Sequence, residues 1–550
     1  MKRIRLGLLV LVLFSSLSLF AAESLKSTEE EYYDFLFLMG YTQRPTLGYR
    51  TLSDSTWEIS ENLVWNEINL GTTRQVGNSD FSYQIYGPEL FTSYNSAYPY
   101  GQNDGALVQS KGLNSSLSAG IRLEGKGFEI TLKPQIAFTQ NLEYPILLRD
   151  QNQPGFSEYA YYWANIDYPQ RFGPDPFVLF DWGDTELRYT WKNVTVGFGT
   201  QAMWFGQSWL NPILHSNNAP GYPKADFGLR KTSVVIPHLG NIGEVEFRVY
   251  TSFPSYSDYY KPEYDTFTKK LITGLNVSYA PSFIPGMTFT FNKLFMTNYS
   301  WSNLQYYLSR LFYEPMINGE EDGKASFSAA WVFPKSGLEI YGELGIDDYV
   351  PTILLGGYIR YPFHTMIYTV GLKKTVDLNV EKRIYGEFFF EWNNNEMSQD
   401  FQFQWGYMYY SHPVPAGYTN NGQLLGGASC PGGNSQFLGF RFYYPKGQSM
   451  VYMHRTNPDN NYLYSKVAGP DAVADPNEKY FASFKATLAI GVTTDHKISS
   501  HVWLHGGLVY EVILNALYKT DVPTDVPTYG HGHDTILNNF RGEVGLKYSW

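Results

Sequence analysis

Short blocks in which apolar and polar residues alternate recur along this 550-residue chain, and they limit its fold more than any other feature. The clearest blocks span residues 128–133, 244–249, 338–344 and 383–392. Side chains two positions apart lie on the same face of a β-strand, so each block predicts a strand with one apolar and one polar face. The longest apolar run after the N-terminal region, residues 35–39, is far shorter than the ~18–20 residues that a spanning helix needs.

Two architectures produce this pattern. In a soluble sandwich the apolar faces meet in a core, whereas in an outer-membrane barrel they face lipid and the polar faces line the lumen. The N-terminus favours the barrel because three basic residues precede an apolar run at 6–14, and two alanines follow at 21–22. We therefore predict an export signal that is cleaved after residues 1–22. An uncleaved anchor fits less well because the apolar run is short and soon becomes rich in Ser.

Aromatic residues make up 17% of the chain, and 46 of them are Tyr. The Tyr side chain has an apolar ring and a polar hydroxyl, which suits the boundary between lipid and water. Outer-membrane barrels carry aromatic girdles at both boundaries. The cluster Tyr159, Tyr161, Tyr162 and Trp163 is predicted to belong to such a girdle.

The charge and cysteine content exclude other classes of protein. A net charge of -11 without a basic block argues against nucleic-acid binding, which needs clustered Lys and Arg. Cys430 is the single cysteine, so no disulfide can form within the chain. A closed barrel needs none, because it has no sheet edge and pairs all of its backbone groups.

The last block, residues 541–550, strengthens the prediction of a barrel. Alternate positions from Gly542 through Val544, Leu546 and Tyr548 to Trp550 point one way, with polar residues opposite. This ending resembles the signal that outer-membrane barrel proteins present to their assembly machinery. We predict an all-β, antiparallel outer-membrane β-barrel of roughly 18 strands, located in the cell outer membrane and in contact with its lipid.

The mature chain is predicted to have two parts. Residues 23–48 form an N-terminal periplasmic segment with a short capped helix at 28–40, which lies at the periplasmic side or plugs the barrel mouth. Residues 49–550 form the barrel with its long loops. Polar stretches rich in Gly and Pro are the candidate loops or lumen inserts, and function is expected there. These stretches are 94–105, 208–224, 418–435 and 466–478.

The order of several short motifs resembles the Wzi-type capsule assembly family of outer-membrane barrels over most of the mature chain. The motifs are YRTLSDS at 49–55, YGPE at 86–89, SYNS at 93–96, PYGQNDGA at 99–106, DWG at 181–183, WFG at 204–206, NPIL at 211–214, SNNAP at 216–220, GLEIYGE at 337–343 and GYTNNGQLLG at 417–426. The resemblance implies a non-enzymatic, lectin-like barrel that helps attach capsular or related polysaccharide at the cell surface. Two positions depart from the family pattern: Gln207 follows Gly206 where Pro is expected, and His215 replaces an aliphatic residue.

Sugar recognition uses aromatic faces against C–H patches and amide or carboxylate side chains for hydroxyl groups. Two of the polar stretches supply these residue types. The candidate glycan-binding residues are Tyr94, Asn95, Asn103, Asp104, Trp204, Trp209, Asn217, Asn218 and Tyr222. The alternative is that the Asn residues only shape turns beside the neighbouring prolines and satisfy backbone groups.

The sequence is also compatible with other functions. The main alternative is a porin or a substrate-specific channel, whose acidic lumen would favour cations or neutral sugars. A hydrolase would need two carboxylates, and a metal site would need clustered ligands. The residues that supply such groups are Glu339, Glu343, Asp347, Asp348, the His531–Asp534 cluster, and His501 with His505 beside Trp503. Alternating Glu is typical of any lumen, so we predict no catalytic site, no metal site and no cofactor.

Overall fold

The strands form one closed antiparallel barrel. The computed structural model describes residues 25–57, 63–65, 73–147, 149, 157–260, 269–312, 321–347, 365–396, 409–410, 416–467, 484–518 and 536–550. The barrel has 18 strand positions, which confirms the predicted fold class and strand number. The predicted signal peptide, residues 1–22, lies outside the described residues.

Neighbouring strands pair in sequence order, and the last strand pairs with the first to close the barrel. The barrel strands are β3 (Phe81–Asn95), β4 (Gly112–Gly125), β5 (Phe128–Leu132), β6 (Gln135–Thr139), β7 (Phe177–Asp181), β8 (Glu186–Trp191), β9 (Val194–Gly199), β11 (Lys224–Ile236), β12 (Gly240–Ser252), β13 (Lys270–Pro281), β14 (Met287–Asn298), β15 (Asp322–Phe333), β16 (Leu338–Asp347), β17 (Met366–Asn379), β18 (Ile384–Asn394), β21 (Asn434–Tyr444), β22 (Gly447–Asn457), β23 (Ala486–Ser499), β24 (Val502–Leu514) and β25 (Leu537–Tyr548).

Three pairings involve short strands. β1 (Tyr49–Arg50) pairs with β10 (Trp204–Phe205), β2 (Arg74–Gln75) pairs with the first residues of β3, and β19 (Thr419–Asn420) pairs with β20 (Gln423–Leu424). The helices are α1 (Thr28–Leu38), α2 (Trp301–Arg310), α3 (Asn460–Val467) and one 3-10 turn (Pro334–Ser336). None of the helices among the described residues is long and apolar enough to cross a membrane.

Two strand positions are interrupted. β5 and β6 both pair with β4 and together make one position, as β7 and β8 do in the next. Pro134 lies between β5 and β6 and has no N–H to donate to the ladder, which accounts for the first break.

The alternation in the sequence reports which side chains face lipid. Ile130 on β5 is 45% exposed on the outer surface, whereas its neighbour Thr131 is 3% exposed on the luminal face. The same division holds in the other alternating blocks: Ile340 lies outside and Glu339 inside. The outer wall is therefore apolar and the inner wall polar, as a membrane barrel requires.

The two ends of the barrel differ. At the short-turn end, hairpins such as β8–β9 connect through two residues; Lys192 and Asn193 both have positive φ angles (47° and 67°), the geometry of a tight type I′ turn. At the long-loop end, the connections run to tens of residues. In outer-membrane barrels the short turns face the periplasm and the long loops face outward.

The hydrophobic core lies inside the barrel, because four longer segments of the described chain fold into the lumen. These luminal segments are residues 25–57, 97–111, 200–223 and 416–433. Side chains of the first, third and fourth segments pack in two large clusters with inward-facing residues of the wall, and Ala106 and Leu107 of the second pack in a smaller cluster with Ala137 of β6. The helix α1 starts as predicted, with the Ser27 hydroxyl accepting a hydrogen bond from the N–H of Glu30 (3.2 Å), and it lies in the lumen.

Two sequence predictions about position need correction. The barrel was predicted to begin at residue 49, but β1 pairs with β10 inside the lumen and the first barrel strand of full length is β3. The predicted girdle cluster is also wrong. The side chains of Tyr161, Tyr162 and Trp163 all donate hydrogen bonds to Asp459, which is buried at the long-loop end (2.8, 3.0 and 2.6 Å).

The physical reason for the second error is that composition does not tell which face a ring takes. Tyr159, the fourth member of the cluster, packs edge-on against Tyr259 of another long loop, with 6.2 Å between ring centroids. Outward aromatic residues near strand ends include Trp191 on β8 and Phe540 on β25, each 60% exposed.

Candidate functional site

Carboxylates on the barrel wall hold the luminal segments by their backbone. Glu391 on β18 accepts hydrogen bonds from the N–H groups of Trp209, Leu210 and Asn211 (2.7, 3.0 and 2.7 Å). A carboxylate that accepts several N–H groups at once fixes the conformation of the chain around it. The segment 200–223 is therefore anchored to one point of the wall.

The N-terminal segment is held in the same way and also by ion pairs. Glu246 on β12 accepts from the N–H groups of Leu47, Gly48 and Tyr49 (2.9, 2.8 and 3.2 Å). Three carboxylates of α1 meet basic residues of three different strands. The pairs are Glu29 with Lys547, Glu31 with Arg441 (2.8 Å) and Asp34 with Lys373 (2.5 Å).

Asp54 forms a third anchor, among arginines of the wall. Its carboxylate contacts Arg248 (3.0 Å) and Arg230 (2.6 Å), and both Asp54 and Arg248 are fully buried. Asp226 on β11 engages Arg248 (3.3 Å) and Arg188 (2.6 Å) next to it. Asp54 belongs to the YRTLSDS motif, so this part of the motif serves to attach the N-terminal segment to the wall.

The luminal segments leave a cavity of about 810 Å³ against one side of the barrel. It extends from Tyr162 and Tyr518 at the long-loop end to Trp503, the second residue of β24, near the short-turn end. Its volume suits several sugar units, since ordinary ligand pockets hold about 300–1,000 Å³. Aromatic rings are frequent in its lining. They belong to Phe91, Tyr98, Tyr100, Tyr144, Tyr161, Tyr162, Tyr168, Phe172, Trp209, Phe437, Tyr452, Trp503 and Tyr518.

Several side chains in this lining carry buried polar atoms that have no hydrogen-bond partner within the described part of the chain; five of these residues are Glu29, Gln448, His454, Trp503 and Tyr518. Three others matter most here. They are Oδ1 of Asn103, Oδ1 of Asn217 and Nε1 of Trp209. The three residues belong to one locality. Asn103 Nδ2 donates to the carbonyl of Leu210, the neighbour of Trp209 (3.0 Å), and the carbonyl of Asn217 accepts from the N–H of Gly105, two residues after Asn103 (2.9 Å). Buried polar atoms are normally paired, so this cluster marks a place where a polar ligand can complete the bonding.

Asp104 adds a carboxylate to the same wall of the cavity. One of its oxygens accepts a hydrogen bond from Nε2 of Gln109 (2.8 Å). Burial raises the pKa of Asp104, which lies in the loop between β3 and β4, to about 6. At neutral pH the carboxylate therefore remains largely charged.

Of the nine predicted glycan-binding residues, the structure brings five together in the cavity lining. They are Asn103, Asp104, Trp209, Asn217 and Asn218. Asn218 also has a structural role, because its Oδ1 accepts from the N–H of Asn103 (3.1 Å) and its Nδ2 donates to the carbonyl of Leu424 (3.0 Å). The alternative of a turn-forming Asn thus describes Asn218 better than Asn217.

The other four predicted residues lie outside this cavity. Tyr94 is 49% exposed on the outer, lipid-facing side of β3, because its position in the strand alternates with the inward Asn95. Asn95 donates to the carbonyl of Ser110 (3.0 Å). The Trp204 indole donates to the carbonyl of Ser208 (3.0 Å), and the Tyr222 hydroxyl is bonded to His215 (3.2 Å).

The two departures from the family pattern both have a structural role. Gln207 accepts from Arg44 (3.2 Å) and donates to the carbonyl of Leu47, so it joins two luminal segments. His215 is buried between two hydroxyls, those of Tyr418 (2.9 Å to Nε2) and Tyr222 (3.2 Å to Nδ1). Burial lowers the pKa of His215 to about 3, so the ring is neutral and works as a hydrogen-bonding link.

The residues considered for catalysis are occupied by structural contacts. Glu339 accepts from both guanidinium nitrogens of Arg44 (2.5 and 2.8 Å), and Glu343 accepts from the N–H of Ile213 (3.1 Å). Neither carboxylate belongs to the cavity lining. Asp347 pairs with Lys324 (2.7 Å). Asp348 and the cluster at 531–534 lie outside the described residues.

Of the two candidate histidines 501 and 505, only His505 lies within strand β24. His501 precedes β24, where its Nδ1 is 2.9 Å from the carbonyl oxygen of Ser549, whereas His505 lies on the luminal face between Asp495 (2.8 Å) and Glu543 (3.2 Å). Across the residues that the structure describes, no group of three potential metal ligands comes together.

Sequence reasoning missed the contribution of the barrel wall to the cavity. Tyr452, His454, Glu511 and Arg541 line the cavity from strands β22, β24 and β25. The alternation gives their inward orientation, since Tyr452 and His454 are two apart. The alternation does not show, however, that strands β22, β24 and β25 border the cavity, because every strand of the barrel has an equivalent row of inward-facing side chains.

No protein-family profile and no curated protein matches this sequence. Among solved structures, the chain is similar to Wzi from Escherichia coli, described as an outer-membrane protein involved in group 1 capsule assembly and a carbohydrate-binding β-barrel. The TM-score is 0.53 at 10% identity, over 86% of this chain and 85% of that one. The chain has the fold of an outer-membrane β-barrel. At this identity the likeness establishes the fold, and the resemblance to the Wzi-type family is confirmed only to that extent.

Other solved structures resemble the chain more weakly. They include OccAB2 of Acinetobacter baumannii (TM-score 0.38, 9% identity, 85% of this chain and 98% of that chain) and OprD of Pseudomonas aeruginosa (0.38, 8%, 89% and 100%). These TM-scores are too low to support an argument about this barrel.

Proposed function

We propose that this outer-membrane barrel is a non-enzymatic protein that binds a capsular or related surface polysaccharide in its luminal cavity and helps to hold it at the cell surface. The observation that carries the proposal is the cluster of buried, unpartnered polar atoms on Asn103, Trp209 and Asn217 within a cavity rich in aromatic rings. Aromatic faces stack on the C–H faces of sugars, and amide and indole groups exchange hydrogen bonds with their hydroxyls.

Two further observations support this function. The neighbour Wzi is itself described as a carbohydrate-binding barrel that takes part in capsule assembly. In addition, the luminal segments are anchored to the wall at several points, so the cavity is built on a rigid support. A pre-formed site loses less conformational entropy on binding than one that must order itself.

A channel is the second candidate function, and one observation favours it. The cavity extends along the wall from the long-loop end to Trp503 near the short-turn end, so it covers much of the depth of the barrel. Conductance distinguishes the two functions, because a channel passes a steady current and a barrel filled by luminal segments passes little.

Replacing Trp209 by Phe tests the binding function with little disturbance of the fold. The change keeps an aromatic ring but removes the pyrrole part of the indole with its Nε1–H, which has no partner among the described residues. We expect the affinity for the purified surface polysaccharide of the producing cells to fall by roughly 2- to 12-fold. This range corresponds to the loss of one hydrogen bond that contributes about 0.5–1.5 kcal/mol. Isothermal titration calorimetry measures this change.

Trp204→Phe is the matched control. Its Nε1–H donates to the carbonyl of Ser208 (3.0 Å), and the ring does not line the cavity. We expect this variant to lose stability and to keep its affinity. Equal affinity of Trp209→Phe and wild type would count against a ligand at this position, and no binding of the polysaccharide by wild type would remove the proposed function.

A further inference from the structure

The cavity lining carries more negative than positive charge. The lining residues with carboxylates are Glu29, Glu31, Glu89, Asp104, Asp181, Asp184, Asp495, Glu511 and Glu543, and those with Lys or Arg side chains are Lys26, Lys133, Arg441, Lys485, Arg541 and Lys547. Two histidines also line the cavity: His454, and His505, which lies between Asp495 (2.8 Å) and Glu543 (3.2 Å). A cleft with one dominant sign of charge and low-dielectric walls concentrates ions of the opposite sign and repels ions of the same sign.

The Lys and Arg side chains are already engaged with other groups of the protein. Five of them pair with carboxylates: Lys26 and Arg441 with Glu31 (3.7 and 2.8 Å), Lys133 with Asp184 (3.4 Å), Arg541 with Glu543 (2.8 Å) and Lys547 with Glu29. The sixth, Lys485, donates to the hydroxyl of Tyr98 (3.0 Å) and lies over its ring, 4.5 Å from the centroid. An anionic ligand would have to displace these contacts to gain a cation.

Four lining carboxylates, by contrast, have no basic side chain within 4.0 Å in the described part of the chain: Glu89, Asp104, Asp181 and Glu511. The last three are buried or half-buried, and each accepts a hydrogen bond from the protein. Asp104 accepts from Gln109 (2.8 Å), Asp181 from the N–H of Gly221 (3.0 Å) and Glu511 from Nδ2 of Asn539 (3.1 Å). They keep further acceptor capacity, because an ionised carboxylate can accept about four hydrogen bonds. The unpartnered oxygens of Asn103 and Asn217 are also acceptors. Among the described lining residues, these acceptors outnumber the unpartnered indole N–H donors, which are Nε1 of Trp209 and Nε1 of Trp503.

We infer that the cavity takes a glycan segment that is neutral or bears amino groups, and that it disfavours segments with carboxylate groups. This inference rests on the proposed function and adds the chemical class of the glycan. Sugar hydroxyls and ammonium groups are donors that match the free acceptors, whereas a uronate would lose its hydration beside like charges.

The charge of the cavity can be measured without any glycan. Ala428 lines the cavity and Cys430 is buried, so Ala428→Cys in a Cys430→Ser background places a single thiol there. We expect it to react faster with a trimethylammonium methanethiosulfonate than with the sulfonate analogue, by about tenfold or more relative to a control thiol. Ser79→Cys in the short turn before β3 supplies that control, because the residue is exposed.

The pair of substitutions Asp104→Asn and Glu511→Gln should reduce this preference, since it removes two carboxyl groups that have no basic partner in the described part of the chain. A preference for the cationic reagent that falls in the double variant supports the inference. Equal rates, or a preference for the anionic reagent, would overturn it whatever the protein binds.

The glycan itself supplies the second test. The surface polysaccharide of the producing cells is purified, and its carboxylates are reduced to alcohols by carbodiimide and borohydride. If the polymer contains no uronates, we expect the barrel to bind it as purified. If it contains uronates, we expect the reduced polymer to bind more strongly than the untreated one. Weaker binding after reduction, or a loss of binding in EDTA that reveals a bridging divalent cation, would overturn the inference and leave the proposed function standing. No binding of either form would instead contradict the proposed function, and the inference would fall with it.

Discussion

Deleting residues 25–57 is expected to raise the single-molecule conductance of the barrel in planar bilayers by at least about tenfold, because an 18-strand barrel has a lumen wide enough for water once its contents are removed. In the intact protein the four luminal segments fill that lumen and leave the 810 Å³ cavity at one side. The wild-type barrel should therefore pass little current.

A milder variant separates the loss of this segment from a general loss of folding. Glu31→Lys combined with Asp34→Lys places like charges against Arg441 and Lys373, which now pair with those carboxylates at 2.8 and 2.5 Å. We expect frequent openings. Arg441→Glu with Lys373→Glu in the same chain restores opposite charges and should restore closure. A steady open current in the wild-type protein would favour the channel function over the anchor.

Asp54→Ala should lower the free energy of unfolding by about 3–5 kcal/mol, the usual cost of removing one partner from a buried ion pair. The change leaves Arg248, which is fully buried, and Arg230 without this carboxylate. We expect a loss in the lower part of that range, because Arg248 keeps Asp226 and Arg230 keeps Glu129 as ion-pair partners (3.3 and 2.7 Å). Denaturant unfolding in lipid vesicles, followed by tryptophan fluorescence, gives the difference.

Asp80→Ala is the control for this measurement. Asp80 pairs with Lys126 at 3.5 Å, and both side chains are mostly exposed, so the pair contributes about 0–1 kcal/mol. Similar free energies of unfolding for Asp54→Ala and Asp80→Ala would show that the Asp54 carboxylate does not stabilise the buried arginines around it.

The barrel could be predicted from the sequence because lipid imposes a rule on every strand. Residues such as Ile130 and Ile340 must face hydrocarbon, and their neighbours Thr131 and Glu339 must not, so the alternation is repeated around the whole wall. Pairing between segments distant in sequence leaves no such pattern. Residues 49–50 look like the start of a strand, and only the structure shows that they pair with β10 inside the lumen.

The site was less predictable, since polar stretches rich in Asn, Gly and Pro serve both as turns and as ligand contacts. Asn217 lies at the cavity with an unpartnered oxygen, whereas the adjacent Asn218 bonds two other luminal segments. Trp204 and Trp209 are equally plausible sugar platforms in sequence, yet only the second lines the cavity. Their difference depends on packing against Phe389 and other wall residues far along the chain.

We propose above that this barrel retains a polysaccharide at the cell surface. The partition of that polymer between cells and medium tests this function most directly. Deleting the native gene should release surface polysaccharide into the medium while total synthesis stays constant. The wild-type gene should restore retention fully, and the Trp209→Phe gene only in part. Unchanged retention in the deletion strain, with the polymer still bound to the cells, would contradict the claim.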